Sequence, residues 1–158
     1  MDTDIITTDE IRTFVGSNTD YYIHEFSKFT ITGTEKFCLT WNWSTFGFTF
    51  LWMLYRKMYI QAVVTFLVLC IPGINILLHI IAGLSGNYIY YRNVKSKILD
   101  MRAIHSSQNY YTAIQVIGGV NKYVITAGIV FTIVLVLLLF FFFATIISFI
   151  ENSVRITI

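Results

Sequence analysis

The chain opens on about 36 residues in which polar and apolar positions mix without a sustained period. An aromatic, charge-free stretch follows from Phe37 to Tyr55, and a second charge-free stretch runs from Met58 to Tyr91. Residues 92–122 are mixed again, and residues 124–150, "VITAGIVFTIVLVLLLFFFFATIISFI", contain no charge at all. A bilayer-crossing helix needs about 20 apolar residues. From Ile129 to Ser148, sixteen of twenty positions are Ile, Val, Leu or Phe. At roughly −0.3 to −0.6 kcal/mol each, they favour insertion by about 5–10 kcal/mol. A helix apolar on every face has no place in a soluble chain of 158 residues. The pattern predicts an all-α integral membrane protein.

The other elements follow from spacing. "SNTDYYIHEFSKF" (17–29) predicts a short amphipathic helix, with Ser17 or Asn18 as N-cap, Asp20 in the first turn and Tyr22, Phe26 and Phe29 on one face. The helix either lies on the membrane surface or packs on the protein's own loops, or its rings simply form a small cytosolic core. Residues 1–17 read as a polar lead and 30–36 as a turn. As a helix, 41–55 is about 21 Å long, too short for a hydrocarbon core of about 30 Å. Its Trp41, Trp43, Trp52 and Tyr55 prefer headgroup level, so a tilted, interfacial or half-inserted helix is expected. Arg56 and Lys57 then stay in water at the membrane face, their stems along apolar surface. The alternative is that the pair binds a ligand.

The stretch 58–91 is about 51 Å as one helix, too long for one span and short for two. Pro72, Gly73 and Asn75 stand in its middle. Proline removes a helical donor and clashes with the preceding turn, so two helices, about 58–71 and 76–91, are expected. The competing picture is one kinked, tilted span. Basic residues flank the stretch at Arg56–Lys57 and at Arg92, Lys95, Lys97 and Arg102. Positive loops prefer the cytoplasm, and a hairpin returns both clusters there. After Arg92 the helix continues, with turn signals at "SSQN" and "GGVN". The resulting segments are a polar acidic cytoplasmic region (1–36), an aromatic membrane-embedded region (37–100), a connector (101–122), a transmembrane helix (123–150) and a tail (151–158).

Composition narrows the chemistry. Only 13% of the residues are charged, against about 25% in ordinary soluble domains. A formal charge of +2 gives no reason to expect nucleic acid as a partner. Seven of the nine acidic residues lie within the first 35 positions, and none falls inside an apolar segment. That argues against a proton-coupled transporter or an intramembrane carboxylate enzyme. Cys38 and Cys70 are read as inert apolar side chains, not a disulfide framework. There is no Gly-rich phosphate loop and no His or Cys spacing for zinc, so neither metal nor cofactor is expected. His79 is the ionisable group to examine: it either bonds a carbonyl freed at the helix break or transfers protons. Asn75, Ser85 and Asn87 either bond broken-helix backbone or line a polar cavity, and Gly83 and Gly86 allow close helix approach.

"FVGSNTDYYIHEFSKF", "FCLTWNWSTFGFTFLWMLYRKMY" and "GNYIYYRNVKSKI" occur in that order. Together they resemble the YigF-like family of small bacterial inner-membrane proteins, whose function is unknown. The resemblance rests on Asn42, Trp43, Phe46, Phe48, Trp52, Tyr55, Arg56, Lys57, Met58 and Tyr59, with Tyr90, Tyr91 and Ile98 matching a later element. It covers about residues 14–100, and Ser44–Thr45 departs from the small residue usual there. It implies a bacterial inner-membrane location and carries no activity across.

The expected function is a non-enzymatic, multi-pass membrane protein. It binds lipid, a membrane protein or a second copy of itself through an aromatic-basic face of Trp41, Trp43, Trp52, Tyr55, Arg56, Lys57, Arg92 and Lys95. The alternative is a small transporter or channel subunit with its pathway past Pro72, Gly73, Asn75 and His79. A membrane enzyme is the third possibility.

Overall fold

Helix α1 (Thr8–Val15) begins where the sequence supplies a reciprocal cap. A computed structural model describes residues 5–31, 33–104 and 109–156, with side chains to Phe149. The Thr7 hydroxyl accepts the Glu10 N–H at 3.3 Å, and the Glu10 carboxylate accepts the Thr7 N–H at 2.7 Å. Two donors that a helix start leaves orphaned are thus satisfied. Ile11, Phe14 and Val15 then share one buried face. The polar-lead expectation for residues 1–17 is corrected over this part. A short helix is stable there because its cap and its apolar face act together.

Helix α2 (Thr19–Ser27) follows a left-handed Asn18 (φ 60°). Tyr22, Phe26 and Phe29 are all buried. Of the readings of these rings, the protein-core one holds.

The expected single helix over 41–55 is two, α3 (Trp43–Phe48) and α4 (Phe50–Tyr55). Asn42 caps α3, its side chain accepting the Thr45 N–H at 3.0 Å. The break is Thr49, at φ 41° and ψ −105°, a conformation that a β-branched residue adopts only under strain. Thr49 is buried, and its N–H donates to the Thr45 carbonyl at 2.8 Å.

Helices α5 (Tyr59–Leu69) and α6 (Asn75–Ile104) flank the Pro72–Gly73 turn, where Gly73 has φ 91°. The two-helix expectation therefore holds. Helix α7 (Tyr110–Ile117) turns at Gly118–Gly119 into α8 (Lys122–Ile156). The "SSQ" part of the predicted turn lies outside the described residues. No strand occurs among the described residues.

The chain forms two units, the first ending at Asn121 and the second starting at Lys122. In the first, α6 is the spine: α1, α2, α3 and α7 pack on it, and α4 packs on α3 and α5. Its core is Phe14, Phe26, Phe29, Tyr90, Val94 and Ile98 with their neighbours. Helix α3 comes so near α6 that a Cβ on Gly86 would lie 2.6 Å from Thr45 Cγ2. Beside that contact, the fully buried Asn87 accepts from the Asn42 amide at 2.7 Å and donates towards the Tyr21 and Thr40 hydroxyls at 3.0 and 3.2 Å. A polar side chain is tolerated inside because its amide is bonded on both sides.

Glu10 ties α1 to α6 and α7. It accepts from Arg102 Nη2 at 2.8 Å and from the Tyr110 hydroxyl. Burial pushes its carboxyl up, but the bonds from Thr7, Tyr110 and Arg102 win and hold it below the ordinary value. The same burial and the Glu10 contact push the Tyr110 hydroxyl up to about 12. A carboxyl depressed in the folded state contributes stability that is present above its unfolded value and lost as pH falls through the folded one. Glu10→Gln is therefore expected to lower the thermal midpoint at pH 7. It should also flatten the fall in midpoint between pH 5 and the acid limit, read by circular dichroism in detergent.

The second unit is α8 alone, 35 residues and about 52 Å long. From Ile129 to Phe149 every side chain is exposed. Among the described residues α8 is the one helix long and apolar enough to cross a membrane. The multi-pass expectation finds no support. Helix α5 has eleven residues, about 16 Å, and α6 from Ala82 to Ile98 buries one face in its own unit. Neither leg is free to be a second span.

Candidate functional site: the Arg-Lys pair and an uncharged end

Arg56 does not sit in water. It is 2% exposed and closes the C-terminal end of α1. Its Nη1 donates to the Val15 carbonyl at 3.2 Å and its Nη2 to the Ser17 carbonyl at 3.1 Å. The Val15 carbonyl carries the negative end of the α1 dipole, so a cation there is favoured by charge as well as by the hydrogen bond. The guanidinium also lies 4.5 Å from the Tyr22 ring centroid and 5.3 Å from that of Tyr90, within cation–π range. The reading of Arg56 as a solvated interface anchor is corrected. A planar fork that can be stacked and bonded in the interior is worth burying; an isolated charge is not.

Lys57 does the same for another helix. Held at φ 56°, it donates from Nζ to the Val116 carbonyl at 3.2 Å and to that of Gly118, at the end of α7. The Gly119 N–H returns to the Phe14 carbonyl at 2.6 Å, and a Cβ on Gly118 would lie 2.2 Å from that oxygen. Adjacent cations thus close two helix ends, and the glycines let those ends meet. Lys97 Nζ donates to the Lys57 carbonyl at 3.1 Å. Burial, with the Lys57 charge nearby, holds the Lys97 amine below the ordinary lysine range.

The remaining expected anchors divide. Trp52 is buried against Tyr90, with centroids 5.7 Å apart, so it is a core residue. Tyr55 is half-buried, and its carbonyl accepts the Asn121 N–H at 2.8 Å. Trp41 and Trp43 remain at the surface, Trp43 at 74% exposure. Lys95 pairs with Glu35 at 2.9 Å, and Arg92 lies 3.9 Å from the same carboxylate. Burial pushes Glu35 up, but Lys95, Tyr88 and Arg92 together hold it below its ordinary value. The basic half of the expected aromatic-basic face is therefore partly neutralised.

At the helix break, Pro72, Gly73 and Asn75 are exposed, whereas His79 is half-buried. His79 Nδ1 is within hydrogen-bond distance of the Phe46 carbonyl and lies 2.8 Å from the Thr49 hydroxyl. A carbonyl only accepts, so Nδ1 carries the proton. The freed carbonyl that satisfies His79 belongs to the α3–α4 break, not to the proline break expected from the sequence.

The elements at His79 share an end of the first unit. The α3–α4 corner meets α6 there, and the Phe50 ring packs at a tilt on Phe66 of α5, centroids 5.3 Å apart. The exposed side chains at this end are apolar apart from Asn75: Ile60, Val63, Val64 and Leu67 on α5, then Ile76, Leu77, Ile80 and Ile81 on α6, with Phe48 at the corner. No charged residue lies between Met58 and Tyr91. Elsewhere in the unit a cavity of about 530 Å³ is lined by Ile6, Ile11, Phe26 and Tyr91 and by the Glu35–Lys95 pair.

No family model, no curated protein and no solved structure matches this chain.

Proposed function

We propose that the chain is a non-enzymatic integral membrane protein: α8 crosses the bilayer, and the helical unit before it binds lipid or a membrane-embedded partner through its uncharged aromatic end. The carrying observation is that end itself, where exposed Ile, Val, Leu and Phe side chains recur on α5, on the start of α6 and at Phe48 without a charge. Soluble monomers rarely leave so large an apolar patch in water. The non-catalytic reading is supported by what the buried polar groups do. Glu10 joins three helices, Asn87 joins α6 to the chain entering α3, and His79 bonds the α3–α4 break. Each is engaged in holding the fold.

Because no charged side chain lies between Met58 and Tyr91, attraction at this end is mainly apolar. High salt should then leave the association unchanged, in contrast to a basic surface on anionic lipid. Membranes holding the full chain, washed with 1 M salt and with alkaline carbonate, should retain it in the pellet, and detergent should release it. Recovery of the chain in either aqueous wash would overturn the reading.

A further inference from the structure

We infer that the uncharged end of the helical unit is embedded in the acyl layer of one bilayer leaflet, without crossing it. The inference rests on the proposed membrane association and adds a second, independent contact besides α8.

Four observations carry it. First, the exposed positions on α5 (Ile60, Val63, Val64, Leu67) recur at helical spacing and form one stripe, as do Ile76, Leu77, Ile80 and Ile81 on α6. Second, the legs are too short to cross. Helix α5 is about 16 Å long, and seven residues of α6, about 10 Å, precede its first fully buried residue, Ala82. One leaflet offers about 15 Å of hydrocarbon, half of the bilayer core. Third, the turn is poor in free donors. Pro72 has no N–H, the Cys70 N–H bonds back to the Phe66 and Leu67 carbonyls, and the Ile71 N–H bonds to the Val68 carbonyl. The opening N–H groups of α6 still need water or headgroups, since each bare group in hydrocarbon costs several kcal/mol. That keeps the turn shallow. Fourth, the unit's last residue, Asn121, is bonded to Tyr55, close in sequence to the start of α5. The unit's last residue is therefore held near the start of α5. Trp41 and Trp43 meet edge-on at 5.2 Å, with the Trp41 ring against Gly83 of α6, exposed as headgroup-level rings are.

The occupant of this surface is thus phospholipid acyl chain, not a protein groove. The test uses the full chain in phosphatidylcholine vesicles, with Cys38→Ser and Cys70→Ser as background and single cysteines placed at Val64, Ile80 or Leu137. Each is labelled with an environment-sensitive fluorophore and challenged with lipids carrying nitroxide near the headgroup or deep in the chain. Probes at 64 and 80 should be quenched several-fold more by the shallow nitroxide than by the deep one. The probe at 137 should show the reverse order. Quenching at 64 and 80 by aqueous iodide alone, with 137 still deep, overturns the one-leaflet contact and leaves the α8 span standing. Deepest quenching at 64 and 80 by the chain-centre nitroxide means that the legs cross, which also overturns it. If 137 is itself open to iodide, the underlying membrane reading fails.

Discussion

Arg56→Ala is expected to cost the helical unit about 2–5 kcal/mol, the range for emptying a large buried side chain's volume and stranding the groups it bonds. Two carbonyls, of Val15 and Ser17, lose their donor, and the Tyr22 and Tyr90 rings lose the cation between them. The more discriminating change is Arg56→Lys. A solvated anchor would accept lysine within about 0.5 kcal/mol, as surface substitutions usually do. A buried fork would not, because an ammonium cannot donate to both carbonyls while lying flat against a ring. A loss of about 1–3 kcal/mol is expected. Urea titration in detergent, followed by fluorescence of the buried Trp52, measures both. A lysine variant with an unchanged midpoint would show that the guanidinium is not held as described.

Asn87→Ala is the second large effect, about 2–4 kcal/mol. The substitution deletes one residue yet strands others, because a buried donor or acceptor left unmade costs its full desolvation. The Asn42 amide loses its acceptor, and the Thr40 and Tyr21 hydroxyls lose a donor. Asn42 also caps α3, so the loss should spread into the α3–α6 contact. Hydrogen exchange at Thr45 and Phe46, whose N–H groups bond to Asn42, should rise in this variant before the α1 amides respond. Uniform protection across both regions would contradict the placement of Asn87 at the centre of that contact.

What the sequence revealed depended on whether a signal was local. The α8 helix was legible from composition alone, and the Pro72–Gly73 break from the backbone rules for those two residues. The face of Tyr22, Phe26 and Phe29 was legible by spacing, although spacing does not say whether protein or lipid covers it. Helix α1 carried a readable cap, Thr7 to Glu10, and helix α7 a readable stripe, Tyr110, Ile114 and Ile117. Both were short and lay in polar surroundings, so they passed as lead and connector. The corner at Thr49 had no local mark, since neither glycine nor proline stands there. It exists because tertiary contacts with His79 hold it. The fate of Arg56 was illegible for the same reason. Its acceptors lie 41 and 39 residues away, on a helix end that only the folded chain brings near.

Under the proposed function the chain crosses the bilayer once, by α8, and positions 96 and 154 are reached from opposite sides. Single cysteines at Ser96 and Val154, in a chain lacking Cys38 and Cys70, report this directly when an impermeant maleimide is added to intact cells and then to opened ones. Retention of basic clusters in the cytoplasm predicts that position 154 is modified from outside and that position 96 reacts only after opening. Modification of both positions from the same side would contradict the account.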